Sequence, residues 1–249
     1  MMWEQWYPVL VVALGFGVLG ITGFGSALIS VPLLAWVWPL EQVVPLVLSI
    51  DFIACLLLGG LQWRLIDWRT LMPFFFWLLL GVGLGAGLSL WPGVLESGAL
   101  RVALGLYVAW AGWRGLVGVA APARSVLRHR PLSGLLGGVI EMLWGTSGSV
   151  VVGHLVTRFD DPRIMRANIT LCLMVVSGLA CLVLAASGRL DTPEVRAWWP
   201  PMTAVALGSM WVCHQWTKRV EAARLRRAIL VLLVLSGLAL AGQGLRTLW

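Results

Sequence analysis

The sequence predicts an all-α polytopic membrane protein, and three observations predict it. Of the 249 residues, 59% are hydrophobic and only 12% charged, about half the charged share of a soluble domain. Eight apolar segments recur along the chain, at about 8–37, 43–61, 71–91, 99–118, 132–157, 164–187, 198–217 and 226–245. The basic residues, nearly all arginine, gather in the short stretches between those segments, where membrane proteins place the charges that set their orientation. The 29 glycines and 16 tryptophans fit closely packed helices and aromatic anchors at a bilayer interface.

Six of the eight segments have the length of an ordinary span, about 20 residues. The first and fifth differ. No formal charge occurs between Glu4 and Glu41, and a straight helix over 8–37 would run about 45 Å against a hydrocarbon core of about 30 Å. Its middle reads GFGVLGITGFGS (15–26), with Pro32 following. The fifth segment is interrupted by WGTSGS (144–149). Glycine is a poor helix former, so both clusters invite a break. Asp51 falls inside the second segment and Glu141 inside the fifth, just before its break.

The chain repeats internally. An offset of 122 places Gly15 on Gly137, Gly23 on Gly145, Ser26 on Gly148 and PLEQ (39–42) on DPRI (161–164). Later, LRVAL (100–104) matches LRRAI (225–229). The domain reading is a first transmembrane repeat over 8–118, a basic linker over 119–130 and a second repeat over 131–246. Each repeat is one Gly-broken helix followed by three transmembrane helices.

Charge decides how the broken segments run. If all eight segments cross, the 18 basic residues split evenly between the two sides. If the first and fifth are re-entrant, turning back at their glycines, only Arg101, Arg189, Arg196 and Arg246 lie on one side and the other fourteen face the cytoplasm. The second alternative makes the two repeats inverted, as in many secondary transporters.

The stretch GITGFGSALISVPLL (20–34), RLIDWRTLMP (64–73) and GVGLGAG (81–87), echoed by LWGTSGSVVVGHLV (143–156) and RIMRANITL (163–171), resembles the sulfite exporter TauE/SafE family. The likeness covers almost the whole chain. It implies a bacterial inner-membrane transporter of sulfite, sulfonates or related sulfur or carboxylate anions, working without a cofactor. Where the family's second half carries more glycine and a proline, this chain has Thr146, Ser147 and His154.

The two breaks are the candidate substrate site: Thr22, Gly23, Gly25 and Ser26 from the first, Trp144, Gly145, Thr146, Ser147, Gly148 and Ser149 from the second. A half-helix starting at each break presents unpaired backbone N–H groups and a partial positive charge to a small anion, and the hydroxyls add donors. The bland reading, glycine serving close helix packing alone, competes with this one. Asp51, Glu141 and His154 are the proton-coupling candidates, because intramembrane ionisable groups often face a cavity; for the single histidine, helix packing is the stronger reading. A carboxylate beside an anion site must be neutral. Arg166 and Asn168 stand where they would guide anions at the mouth or mark the interface.

Other classes fare worse. Gly15, Gly17 and Gly20 match a dinucleotide fingerprint but lack the preceding strand it needs. Gly81 and Gly85 read as a helix contact. Cys55, Cys172, Cys181 and Cys213 fit no metal or redox spacing. An intramembrane enzyme built on Ser147 and His154 has no sequence-adjacent carboxylate to orient the histidine. A metal permease on Asp51 and Glu141 would want more ligands. A non-transporting membrane subunit is the remaining alternative. The basic charge does not indicate nucleic acid. The expected partners are a small anion and the lipid bilayer, with a homodimer left open. The N-terminal MMWEQWYP lacks the basic region of a cleavable signal.

Overall fold

The structure, a computed structural model, describes residues 3–60, 62–89, 91, 97–117, 129–156, 158–159, 161–216 and 222–246. All but the last two residues of the expected basic linker lie outside that set. The described residues are helical, with no strand among them: α1 (Trp3–Thr22), α2 (Ser26–Leu34), α3 (Leu40–Gly60), α4 (Trp68–Ser89), α5 (Gly98–Val117), α6 (Arg130–Trp144), α7 (Gly148–Leu155), α8 (Pro162–Ala186), α9 (Pro193–Trp216) and α10 (Ala222–Arg246). A single 3-10 turn, Trp63–Leu65, links α3 to α4.

Both long segments break where glycine clusters. Gly23 and Gly25 (φ 85° and 96°) end α1 and start α2, and Gly145 (φ 67°) ends α6. These left-handed conformations interrupt a right-handed helix and favour glycine. The helices after each break then run back along the ones before it. Tyr7 near the start of α1 donates its hydroxyl hydrogen to the Leu33 carbonyl near the end of α2 (2.9 Å), and Gly15 lies against Ser26 and Ser30. In the second segment Ser133 on α6 meets His154 on α7 at 3.0 Å, and Gly137 faces Val150. Each segment is a helical hairpin rather than a bent rod.

Among the described residues three helices are both long and apolar enough to cross a membrane: Leu40–Gly60, Trp68–Ser89 and Arg163–Ala186. Six ordinary spans were expected. The other three expected spans fall on α5, α9 and α10, which run to 20, 24 and 25 residues, and α10 carries an apolar stretch over Leu233–Leu245. Two of them carry visible interruptions in the sequence: Arg101 and Arg114 in α5, Pro200 and Pro201 in α9.

Helix α4 shows how the fold meets its surroundings. It buries Leu71, Phe74, Leu78, Val82 and Ala86 on one face and exposes Met72, Phe76, Leu80, Leu84 and Leu88 on the other. Both faces are apolar, so the exposed one suits hydrocarbon rather than water.

The principal helix pairs are α1 with α9, α4 with α6, α3 with α8, and α5 with α10. Missing side chains set how closely they approach. A Cβ on Gly85 would sit 3.1 Å from the Val139 Cα of α6, and one on Gly81 would sit 3.0 Å from the Gly138 Cα. At the α5–α10 crossing a Cβ on Gly105 would meet the Ala241 amide at 2.5 Å, and one on Gly237 the Ala109 amide at 2.5 Å. Small residues at these positions let backbones touch, the main source of helix association where lipid removes the hydrophobic drive.

One loop is tied by a buried amide. Asn168, fully buried on α8, accepts from the Asp67 amide (3.0 Å) and donates to the Leu65 carbonyl (3.3 Å) and the Ile164 carbonyl (2.7 Å). Asp67 in turn caps α4, accepting from the Thr70 hydroxyl (2.7 Å) and amide (3.2 Å). Those bonds hold its carboxyl below the usual aspartate range.

Candidate functional site

The two breaks meet. A Cβ on Gly148, at the start of α7, would lie 3.9 Å from the Gly25 amide at the start of α2. One on Gly145 would lie 3.9 Å from the Ala27 Cβ and 3.2 Å from Leu48 of α3. Between them is a small cavity lined by Gly25, Ser26, Ala27, Leu28, Asp51, Gly145, Thr146, Gly148 and Leu173. Its room is about that of one water molecule. The first turns of α2 and α7 both contribute to its wall, so two sets of free helix-terminal amides border one space.

Several polar atoms of the two broken segments are buried without a partner: Thr146 Oγ1 in the cavity wall, and Ser147 Oγ, Trp144 Nε1, Glu141 Oε1 and Ser30 Oγ. Thr146 and Ser147 are 1% and 0% exposed. Buried donors and acceptors are nearly always satisfied in folded proteins, so such a concentration calls for an explanation.

Two carboxylates stand at the breaks, one for each half-helix. Asp51 of α3 accepts a short hydrogen bond from the Ser26 hydroxyl at the start of α2, and a longer contact from Cys55 Sγ (3.7 Å). Glu141 of α6 accepts from the Ser147 amide (3.1 Å), just ahead of α7. Asp51 lines the cavity and Glu141 lies beside it. Their exposures are 3% and 1%.

The two breaks are braced across the molecule. Tyr107 of α5 donates to the Thr146 carbonyl (3.1 Å), shares a short hydrogen bond with the Ser149 hydroxyl and stacks on Trp144 (centroids 6.0 Å apart, planes at 19°). Arg166 of α8 donates to the Gly20 carbonyl (2.7 Å) in the last turn of α1, with His214 Nδ1 3.4 Å away. A cation there complements the negative end of the helix dipole. Thr170 of α8 donates to the Gly23 carbonyl (3.3 Å).

Of the residues singled out in the sequence, Gly25, Ser26, Gly145, Thr146 and Gly148 line the cavity together with Asp51. Trp144, Ser147, Ser149 and Glu141 lie next to lining residues without lining it themselves, and Gly23 faces the Arg166 side chain instead. Thr22 does not reach it. Its exposed side chain folds onto its own backbone, donating towards Val18 (2.9 Å) and Phe24 (2.6 Å) carbonyls. His154 sits at the far end of α7, stacked on Phe74 (4.4 Å, 3°). Arg166 terminates α1, and Asn168 clamps the loop before α4, so neither lines the cavity. Tyr107 and Thr170 escaped the sequence reading. Tyr107 did carry a signal: it is one of only two tyrosines in the chain, and a tyrosine inside an apolar span must find a partner for its hydroxyl.

The sequence model of the sulfite exporter TauE/SafE family matches residues 9–240. A protein of Comamonas testosteroni named probable inner membrane transporter protein TsaS is 31% identical over 198 residues, covering 78% of this chain and 81% of that protein. No solved structure matches the chain. With nearly its whole length matched, the chain belongs to the sulfite exporter TauE/SafE family.

Proposed function

We propose that this chain is a secondary transporter in the bacterial inner membrane that exports a small sulfur-containing anion, such as sulfite or an organosulfonate. The anion sits between the two breaks, held by the amides at the starts of α2 and α7 and by the hydroxyls of Ser26, Thr146, Ser147 and Ser149. The observation that carries this reading is the convergence of both half-helix starts on one cavity whose wall includes Thr146, buried with its hydroxyl unpaired. An oxyanion would satisfy amides and hydroxyls at once.

The two repeats are taken to be of inverted topology. In support, each broken segment returns towards its own start, which is the arrangement that sends fourteen basic residues to one side and four to the other. Helix starts at Ser26 and Gly148, and at Leu40 and Pro162, keep the offset of 122. The pairings α1 with α9 and α4 with α6 exchange when the halves are exchanged.

A sulfur oxyanion needs several times the room of one water, so the breaks must part to admit it. The natural way is for one repeat to rock against the other about the shared site. The competing cation reading is weaker, since no group of three or more His, Cys, Asp or Glu side chains gathers among the described residues, and a divalent cation takes six or more oxygen ligands.

The test is flux in liposomes reconstituted with the purified chain, using sulfite, thiosulfate and small sulfonates. Saturable anion flux is expected, lost when Gly145 or Gly23 is replaced by a bulky residue. Flux of metal ions but of no anion would refute the reading. Reporter tags at Glu41 and Asp160 test the topology separately: each should lie on the same side of the membrane as the start of its own broken segment.

A further inference from the structure

The anion site just proposed contains a carboxylate, and that carries a consequence. Asp51 lines the cavity between the two half-helix starts. If ionised, it would hold a unit negative charge against any anion bound there. Two like charges about 4 Å apart at an effective dielectric of about 20 weaken binding roughly a thousandfold. Among the described residues no basic side chain offsets it. Its helix α3 packs on α2, α6, α8 and α9. From α2 it meets the Ser26 hydroxyl, and from its own helix the Cys55 thiol. The titratable side chains in the spans of α6 and α8 are acids, Glu141 on α6 and Cys172 and Cys181 on α8. The arginines of α8 that fall among the described residues, Arg163 and Arg166, stand in its first turns, and α9 keeps Glu194, Arg196, Cys213 and His214 at its two ends.

We propose that Asp51 is the coupling carboxyl: it must take up a proton before an anion can bind, so each anion crosses with a proton. Glu141 is a positioning residue. Its Oε2 holds the Ser147 amide and so fixes the second break, a task for a stationary acceptor. Asp51 differs in geometry, because its carboxyl faces the space the anion would fill. The proton comes from the aqueous phase on the loading side and leaves to the other side once the anion has gone. For a monoanion the cycle moves no net charge, so the membrane potential neither drives nor opposes it; export then runs down the anion's own gradient, and an outside more acidic than the cytoplasm works against it.

This inference rests on the anion-transport reading, and the experiment separates the two. The purified full-length chain is placed in liposomes with a trapped pH-sensitive dye. Thiosulfate and methanesulfonate serve as probes, because neither changes charge over the physiological pH range. Wild-type flux is expected to rise by up to about tenfold for each unit the loading side is acidified, with the lumen acidifying as anion enters. Asp51→Asn, which keeps an acceptor for Ser26, should carry anion with a flat pH profile and no lumen acidification. Glu141→Gln, which keeps an acceptor for the Ser147 amide, should retain the pH slope. Anion flux that ignores pH, or that moves no proton, overturns the coupling while leaving the transporter reading intact. A slope lost in Glu141→Gln and kept in Asp51→Asn overturns the assignment to Asp51. If no anion moves at all, the transport reading fails and the coupling with it. Should Asp51→Asn not fold, the dye record of the wild type alone decides whether protons accompany the anion.

Discussion

Replacing Gly145 by alanine asks how much the second break depends on its glycine. The residue has φ 67°, a conformation that costs an L-residue about 1–2 kcal/mol. The added methyl would also lie 3.2 Å from Leu48 Cγ and 3.3 Å from Cδ2. Leu48 is fully buried, so it has little room to yield, and overpacking of that kind adds about 1 kcal/mol or more. Together the penalty is about 2–3 kcal/mol, and it is relieved if α6 straightens through the break. Straightening would draw the first turn of α7 off the cavity. The competent arrangement should therefore fall by about thirtyfold or more. The control is Gly83→Ala on α4, where a Cβ meets nothing within 4 Å and alanine should gain about 0.5–1 kcal/mol in the helix. Anion flux in liposomes and thermal melting in detergent are measured side by side for both variants. Wild-type flux and wild-type melting in Gly145→Ala would refute the reasoning, because the break would then not need its left-handed residue.

Three further outcomes follow from the same geometry. Tyr107→Phe keeps the ring on Trp144 but removes the hydroxyl that reaches Thr146 and Ser149; flux should fall about fivefold with melting changed by no more than about 1 kcal/mol, and equal loss in both would show Tyr107 to be a packing residue only. Glu141→Ala strands the buried Ser147 amide at a cost of about 1–3 kcal/mol, whereas Glu141→Gln should melt close to wild type; comparing the two melting curves separates the acceptor from the charge. Asn168→Ala releases the loop at Leu65–Asp67, so protease cleavage there should speed up well before global unfolding, and unchanged cleavage would mean the loop is held by other contacts.

Much of the fold was legible because its signals are local. Glycine density marks a break without reference to anything distant, and the cuts fall at Gly23–Gly25 and Gly145 where the clusters stand. An internal offset needs only self-comparison, and it recovers the starts of α2 and α7 from Ser26 and Gly148. What stayed hidden involves partners far apart in sequence with no shared period. Nothing near Arg166 says that its guanidinium ends a helix 146 residues earlier, or that Asn168 closes a loop about a hundred residues before it. For His154 the sequence leaves helix packing and proton carrying side by side, because a lone histidine in an apolar run has no visible neighbour in the chain. The Phe74 ring that occupies its face comes from another helix.

The bracing of the breaks limits how the polypeptide can be divided. Carbonyls of the first break are gripped by Arg166 and Thr170, which belong to the second half. The second break is gripped by Tyr107, which belongs to the first. Severing the chain between Val117 and His129 would thus yield two fragments that each lack the clasp for their own kink. Produced alone, each should be degraded or aggregate; produced together, they should reassemble into a working pair.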